Sequence, residues 1–390
     1  MVGTMMALVA IPWFVLQTTG SAARTGVVTA VASLPLILGG ALGGALVDRV
    51  GSRRMSILAD LASGTAVMLI PLLFHTVGLA FWHLLVLVFL RGLLDAPGNT
   101  ARAALLPDLA DHAGVPREPA NAASQGIQRG ATLLGPPIAG VLIGFIGPSH
   151  VLWLDAGSFA VSALFVAITV PAVLVAARPH APQARHYFQD LRDGLRFIRR
   201  DGLMLAIALN NAASNFFDGF LSIMLPVYAK DHLGSAVDLG LMFAGLGAGA
   251  LVSIVLFGRF GPQLSRRLLF GLCLAGVGIG FGLLASTPGL IGAMTVLALA
   301  GLAAGPINPV LMTVYQERTP PALRGRVFGL TAAIALSAMP IGRLAGGYLI
   351  EGVGLQPAIA VSAGGYLVAG LVVLLVPVYT AMDRRRSPLS

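Results

Sequence analysis

Charged residues are scarce in this sequence. Only 11% of its 390 residues are Asp, Glu, Lys or Arg, whereas 56% are hydrophobic. A water-soluble domain carries about 25% charged residues, so this chain has too few charges to cover a surface exposed to water. Its mean hydropathy is +0.86. Together these values exclude an ordinary soluble protein and indicate helices embedded in lipid.

Cysteine is nearly absent as well. The single Cys273 excludes a disulfide within the chain, and it lies in an apolar run where a small packing residue is expected. The histidines show no metal-ligand spacing, so we expect no metal and no cofactor. No glycine-rich phosphate loop precedes a lysine, which argues against ATP hydrolysis by this chain.

Long apolar runs are abundant. A transmembrane helix needs about 20 mostly apolar residues, and glycine, with 49 residues, allows lipid-embedded helices to approach closely. We predict an all-α polytopic membrane protein in which the first segment is a retained helix and not a signal peptide. The predicted transmembrane segments are 2–18, 26–47, 55–75, 79–101, 122–146, 151–175, 203–228, 235–257, 267–286, 288–314, 326–350 and 357–381.

The positive charges alternate between loops. Of 24 arginines and one lysine, 20 arginines fall in every second loop, and only Arg24 and Lys230 fall in the others. Arg91, Arg129 and Arg343 lie within helices. Positive residues remain in the cytoplasm, so we predict a multi-pass protein of the bacterial cytoplasmic (inner) membrane with both termini cytoplasmic. Arginines spread over short loops argue against a nucleic-acid partner.

The chain repeats itself. GLLDAPGN (92–99) returns as GLAAGPIN (301–308), where Gly, Pro and Asn match at an offset of 209 residues, and DRVG (48–51) returns as GRFG (258–261) at an offset of 210. Two six-helix bundles with a site between them are typical of secondary transporters.

The predicted domain boundaries follow from the repeat. They are an N-terminal bundle at 1–176, a linker at 177–202, a C-terminal bundle at 203–382 and a tail at 383–390. In the linker, Phe188, Leu191, Leu195 and Ile198 follow helical spacing among arginines. Such a basic amphipathic helix either lies on the anionic inner leaflet or packs its apolar stripe on the bundle.

One loop points to a family. GGALVDRVGSRR (43–54) resembles the loop between helices two and three of the major facilitator superfamily, and the matching residues are Gly44, Asp48, Arg49, Gly51, Arg53 and Arg54. The resemblance implies twelve helices and a cytoplasmic latch in which Asp48 binds the amides at the start of helix eleven. Arg49, Arg53 and Arg102 are expected in the same ionic network. Gly258 stands at the aspartate position of the second half, so the second latch is incomplete. Positive-inside anchoring alone explains the arginines but not the aspartate or the glycines.

A second motif implies the direction of transport. LLGPPIAG (133–140) resembles the antiporter motif of helix five at Gly135, Pro136 and Gly140. This motif is associated in the superfamily with export in exchange for protons. The alternative is a proline-kinked packing helix whose small residues admit a neighbour.

Further stretches narrow the resemblance. VAIPWFVLQTTGSA, LPDL, LDAGSF, DLRDGLRFIRR and RTPPALRGRVFGL are similar to the branch that holds enterobactin exporters, macrolide efflux proteins and Tap-type multidrug pumps. Many members of that branch carry Gly-Asp in helix one. Here Gly3 is followed by Thr4, so that carboxylate is missing and its role in proton coupling must lie elsewhere.

Two groups of polar residues are candidates for the transport site. Arg91 and Asp95 are four residues apart and therefore on one helix face; we expect them to pair and line the central cavity, or to form a structural ion pair. Asn211, Asn215, Asp218 and Ser222 form a polar stripe on helix seven. Asp218 is the expected proton carrier; the alternative is interhelical hydrogen bonding, with Asp218 bound to Arg343. Asn308 completes the cavity candidates. Asp60, Arg129 and Asp155 are also intramembrane, on faces that the sequence leaves open.

The predicted function is proton-coupled export of amphipathic small molecules or drugs by a monomer, with protons, substrate and the bilayer as its partners. A dedicated siderophore or lipid exporter is the alternative within transport. A polytopic membrane enzyme would need clustered catalytic groups at an interface, and none is evident, so we expect no enzyme activity.

Overall fold

The computed structural model describes residues 2–171 and 187–383, and all of the regular secondary structure in these ranges is helical. Within them the description excludes the side chains of residues 2, 36–45, 187–191, 262 and 322. Gly44 of the latch motif is therefore described only as helix backbone. Most of the predicted tail, 384–390, and part of the predicted linker, up to residue 186, lie outside the described residues.

The helices follow the predicted order. The helices of the described residues are α1 (Val2–Thr19), α2 (Ala22–Val50), α3 (Ser52–His75), α4 (Phe81–His112), α5 (Arg117–Ile146), α6 (Pro148–Thr169), α7 (Tyr187–Arg200), α8 (Gly202–Tyr228), α9 (Ala236–Phe260), α10 (Arg266–Leu284), α11 (Gly289–Ala304), α12 (Ile307–Arg318), α13 (Arg324–Val353) and α14 (Leu355–Leu375). Nine stretches of the described residues are long and apolar enough to cross a membrane. The prediction of an all-α polytopic membrane protein is confirmed.

Several of the predicted helix ends were wrong. The fourth helix continues to His112 instead of residue 101 because the added residues are mostly good helix formers. The sixth ends at Thr169 instead of 175, where Pro171 follows, and the last ends at Leu375 instead of 381, where Pro377 follows. Proline disfavours helical geometry in the residue before it, which stops both helices.

The predicted tenth helix is broken in two. α11 ends at Ala304, and α12 starts at Ile307 after a turn at Gly305 and Pro306. The repeated stretch in the first half contains Pro97 but remains one helix, α4. A glycine directly before the proline weakens the helix further in the second half. Gly305 also lies against α9, since a Cβ there would come within 2.5 Å of the Ser253 Cβ.

The described chain divides into two compact units. The first is Met1–Ala181 with Ser235–Gly240, and the second is Pro182–Gly234 with Leu241–Ser390. In the first unit α1 packs against α5 and α6, α2 against α4, and α3 against α4 and α6. In the second unit α8 packs against α13, and α10 against α11 and α14. The pairs α1–α5 and α3–α6 correspond to α8–α13 and α10–α14, as an internal duplication predicts.

The repeated glycine marks a matching helix crossing in each unit. A Cβ on Gly92 of α4 would lie 3.0 Å from Pro35 of α2, and a Cβ on Gly301 of α11 would overlap the carbonyl of Leu246 in α9. A glycine at each crossing lets the two backbones approach closely. The similarity of the two sequence stretches is therefore explained by helix packing.

Helix α7 packs on the second unit. It contacts α13 and α8, and Ile198 of its apolar stripe is fully buried. A Cβ on Gly194 would lie 3.4 Å from the carbonyl oxygen of Arg326. Of the two alternatives for this amphipathic helix, the contacts favour packing on the bundle. The side chains of Phe188 and Leu191 lie outside the described residues.

Helix α13 offers a matched test of close packing. A Cβ on Gly342 would overlap the carbonyl oxygen of Phe216 in α8, whereas a Cβ on Gly329 meets nothing within 4 Å. We expect Gly342→Ala to lower the free energy of unfolding by about 1–3 kcal/mol through overpacking. Gly329→Ala should leave stability unchanged or raise it, because alanine is the better helix former. Thermal unfolding of the purified protein in detergent compares the two, and equal unfolding temperatures would contradict the assigned packing.

Candidate functional site

The prediction that Arg91 and Asp95 pair with each other is wrong. The Arg91 guanidinium donates to the Asp155 carboxylate of α6 at 3.1 Å. Asp95 instead accepts from Arg102 at 3.1 Å and from the amide of Asn99 at 3.1 Å. All of these residues belong to the first unit.

The direction in which side chains point along a helix explains why Arg91 and Asp95 do not pair with each other. Long side chains lean toward the N-terminus of their own helix. Arg91 precedes Asp95 and so leans away from it, whereas Arg102 follows Asp95 and leans back toward it. The i, i+4 spacing alone gives the shared face but not this direction.

Arg102 connects two helices through a forked contact. One terminal nitrogen donates to the Oδ1 of Asp60 in α3 at 2.6 Å, and the other donates to Asp95 and to the side-chain oxygen of Asn99. Asp60 is 1% exposed, and its other oxygen accepts from the Ser162 hydroxyl of α6 at 2.7 Å. The expectation that Arg102 belongs to the Asp48 network is replaced by this buried contact.

The latch motif forms a tight turn between α2 and α3. Gly51 has φ +87°, a backbone conformation that favours glycine. Asp48 and Arg49 are exposed in the last turn of α2. Arg53 donates to the carbonyl of Ala167 at 2.6 Å. The binding of Asp48 to the start of the eleventh transmembrane helix stays a prediction.

The glycines of the antiporter motif allow neighbouring segments to pack closely against α5. A Cβ on Gly135 would lie 2.5 Å from the Met5 Cβ of α1, and one on Gly140 would lie 2.6 Å from the Cα of Gly240. Gly240 belongs to the segment Ser235–Gly240 of the first unit. Pro136 lies inside α5, which continues through it to Ile146. Helix α5 therefore accepts close neighbours at two points.

The polar stripe of α8 is present as one face. Asn211, Asn215, Asp218 and Ser222 are all partly buried. Asn215 donates to the backbone and side-chain oxygens of Asn211 at 2.9 and 3.2 Å, and Ser222 donates to the carbonyl of Gly219. The stripe is thus bonded mostly within its own helix, except at Asp218.

Asp218 is bound by a tyrosine of α14. The Tyr366 hydroxyl lies 2.5 Å from the Asp218 Oδ1 and 3.0 Å from the carbonyl of Ser214. Arg343, the partner considered in the alternative, donates to the sulfur of Met339 at 3.3 Å. The Tyr366 ring packs against Phe217 and Phe281. A carboxyl group is therefore held among aromatic rings by a hydroxyl.

Some functional candidates were missed or misplaced from the sequence. Tyr366 lies in an apolar run, and no spacing rule links it to Asp218. Asp60 and Asp155 were noted as intramembrane without a face, and their arginine partners come from another helix. Arg129 and Asn308 are exposed. Among residues 2–171 and 187–383 no group of three or more His, Cys, Asp or Glu is placed to hold a metal ion.

A cavity of about 570 Å³ lies in the second unit, away from the predicted site residues. It lies at the ends of α9 and α10 and beside α12 and Asp383. Arg266 on its wall makes a two-pronged ion pair with Glu317, at 2.6 and 2.8 Å. The charges of Arg266 and Glu317 therefore cancel at this wall of the cavity.

Solved transporters share the fold: nucleoside transporter NupG superposes with a TM-score of 0.74 at 14% identity over 99% of this chain and 98% of its own. A D-xylose-proton symporter gives a TM-score of 0.69 at 16% identity over 96% and 94%. The chain therefore has the fold of multi-pass membrane transporters.

The family follows from the sequence match. Residues 1–388 match the family model described as transmembrane secretion effector. The chain belongs to that family, and it is a membrane transporter of the major facilitator superfamily and not an enzyme. It is 31% identical to multidrug efflux pump Tap of Mycobacterium tuberculosis over 386 residues, covering 98% of this chain and 91% of the relative. It is 24% identical to macrolide efflux protein A of Streptococcus pyogenes over 355 residues, covering 89% and 85%.

Arg102 should be the residue of this site on which stability depends most. Arg102→Gln leaves Asp60 buried without its cation, which is expected to cost about 3–5 kcal/mol. Adding Asp60→Asn should recover much of this loss because it removes the unpaired charge. The control is Arg117→Gln, which breaks an exposed pair with Asp111 and should cost under about 1 kcal/mol. Unfolding in detergent measures all three, and a double variant as unstable as the single one would contradict the pairing.

Proposed function

We propose that this protein exports amphipathic small molecules, drugs among them, in exchange for protons across the bacterial cytoplasmic membrane by alternating access. The observation that carries the proton part is the Asp218 carboxyl on the polar stripe of α8, bound by the Tyr366 hydroxyl of α14 at 2.5 Å. A carboxyl group taken out of water binds a proton more readily. The names of the multidrug and macrolide efflux relatives support the drug part.

The antiporter motif supports the direction of transport. Gly135 and Gly140 are placed where neighbouring backbones come within contact distance of α5, so substitution there affects packing directly. The alternating arginine loops support the proposal that both termini are cytoplasmic. A dedicated siderophore or lipid exporter is the second candidate, and it differs in substrate range and not in mechanism.

Efflux from living cells tests the function. Cells that express the protein should accumulate less of a fluorescent amphipathic dye than cells with the empty vector. A protonophore should abolish that difference because it removes the proton gradient. If the difference survives the protonophore, export is not driven by protons; if several unrelated dyes and drugs give no difference, a dedicated exporter is favoured.

Asp218→Asn tests the coupling residue. In an antiporter, protons and substrate compete for one site or for opposite conformations, so substrate affinity should rise as pH increases through the titration of Asp218. The amide keeps the size and removes the titration, and should therefore flatten this dependence and abolish proton-driven accumulation while downhill exchange remains. The measurement is substrate affinity from about pH 5 to 9 in the purified protein. The control is Asp231→Asn at an exposed position, and an unchanged pH curve for Asp218→Asn would assign coupling to another carboxyl group.

A further inference from the structure

The hydroxyl group of Tyr366 in α14 lies between two acceptors on α8. Its oxygen is 2.5 Å from the Oδ1 of Asp218 and 3.0 Å from the carbonyl oxygen of Ser214. Both distances are within hydrogen-bond range, but a phenolic hydroxyl group carries one proton. Tyr366 can therefore donate one well-aligned bond, and making both contacts at once requires a second proton.

The two acceptors belong to one turn of α8. Asp218 follows Ser214 by four residues, and in an α-helix the amide of residue i+4 donates to the carbonyl of residue i. The Ser214 carbonyl oxygen has two lone pairs, so it accepts from this helical amide and from Tyr366 together. It keeps the helical bond when Tyr366 donates elsewhere. The tyrosine proton can therefore leave this carbonyl without stranding a buried acceptor.

The charge of Asp218 decides where the tyrosine proton lies. A protonated carboxyl group is a donor, so Asp218 can donate to the Tyr366 oxygen while Tyr366 donates to Ser214, and both contacts are made. An ionised carboxylate only accepts, and hydrogen bonds to a charged group are roughly twice as strong as neutral ones. The tyrosine proton then turns to Oδ1, and the bond to Ser214 is lost.

Packing leaves the hydroxyl proton as the part of Tyr366 that is free to turn. Tyr366 is 3% exposed, and its ring centroid lies 5.9 Å from that of Phe217 and 5.6 Å from that of Phe281. A Cβ on the neighbouring Gly365 would overlap the Phe217 ring, so α14 and α8 are in close contact here. The ring is thus held in place, whereas the O–H bond can rotate.

The other charged groups around Asp218 are few. It is the single charged residue of α8, α14 has none, and those of α10 lie in its first turn. Helix α13 lies beside Gly219 at Met339 and Arg343, and the Arg343 guanidinium donates to the sulfur of Met339 at 3.3 Å. Arg343 is thus the charged group whose influence an experiment has to separate from that of Tyr366. Tyr366→Phe separates the two because it leaves Arg343 in place.

We propose that Tyr366 is a positioning residue whose hydroxyl proton follows the charge of Asp218. The proton is donated to the Ser214 carbonyl while Asp218 is protonated, and it turns to Oδ1 when Asp218 is ionised. On ionisation the O–H bond of the acid breaks, water takes the proton and the carboxylate keeps the electron pair, whereas the O–H bond of Tyr366 only changes direction. The bond from α14 to the backbone of α8 therefore exists in one charge state of Asp218 and not in the other. Its use in export rests on the proposed function.

Infrared spectroscopy of the full chain in lipid, without substrate, tests this switch. The C–O stretching band of tyrosine differs between a hydroxyl group that donates and accepts and one that only donates, and ring-deuterated tyrosine identifies it. Between about pH 5 and 9, below the ordinary ionisation of tyrosine, the Tyr366 band should shift with the same midpoint as the Asp218 carboxyl band. Tyr366→Phe assigns the band by removing it. A purely structural bond would give a constant tyrosine band, and that result would overturn the proposal.

Asp218→Asn fixes one of the two states. Its side-chain amide donates as the protonated acid does, so the Tyr366 band should stay at its low-pH position at every pH. The control is Tyr379→Phe, because the Tyr379 hydroxyl donates to another α8 carbonyl, that of Ala206, at 3.0 Å, and no carboxyl group takes part in that bond. This control should leave the pH-dependent shift unchanged. A shift that persists in Asp218→Asn, or that disappears in Tyr379→Phe, would refute the assignment.

These measurements separate the switch from the proposed function, since none of them requires transport. If Tyr366→Phe does not fold, the presence or loss of the shift in Asp218→Asn still decides. Failure of dye efflux with an intact tyrosine shift rejects proton-driven drug export. Proton-driven efflux without a tyrosine shift rejects only the role of Tyr366.

Discussion

A charge placed among apolar helices has to be balanced, and this requirement organises the first unit. Arg102 joins α3 to α4 through Asp60, and Arg91 joins α4 to α6 through Asp155. Because lipid provides no water to replace a lost partner, these contacts fix which faces of the three helices meet. Close packing at glycine then completes the unit, with Gly92 at the crossing of α2 and α4.

The two units share their helix pairing but not their polar chemistry. The pairs α1–α5 and α3–α6 match α8–α13 and α10–α14, which fits a duplicated origin. In the first unit the intramembrane carboxylates Asp60 and Asp155 pair with arginines, whereas in the second unit the intramembrane Asp218 is bound by a tyrosine hydroxyl. Duplication thus preserves the packing, since small residues recur at the same crossings, and leaves the buried polar groups of each half to differ.

Much of the fold could be predicted from the sequence because lipid limits a chain to long apolar helices. The charge deficit, the alternating arginines and the repeat of GLLDAPGN as GLAAGPIN led to the right class and helix order. Helix ends at Pro171 and Pro377 were misjudged because apolar residues continue past them. The break at Gly305 and Pro306 was missed because its apolar flanks read as one segment.

The candidate site could be predicted only in part. The stripe of α8 is a property of one helix, and helical spacing shows it directly. The partner of Arg91 depends on the lean of its side chain and on which helix lies beside it, so the local choice of Asp95 was wrong. Tyr366 is 148 residues from Asp218, and nothing in its neighbourhood distinguishes it from a packing residue.

The central claim is that substrate export is coupled to protons moving the opposite way. The most direct test is purified protein in liposomes loaded with a pH-sensitive dye, with equal pH on both sides and only a substrate gradient imposed. The account predicts that substrate moving in one direction drives protons in the other, so that the internal pH changes until a protonophore collapses it. Substrate flux at a normal rate with no change in internal pH would contradict it.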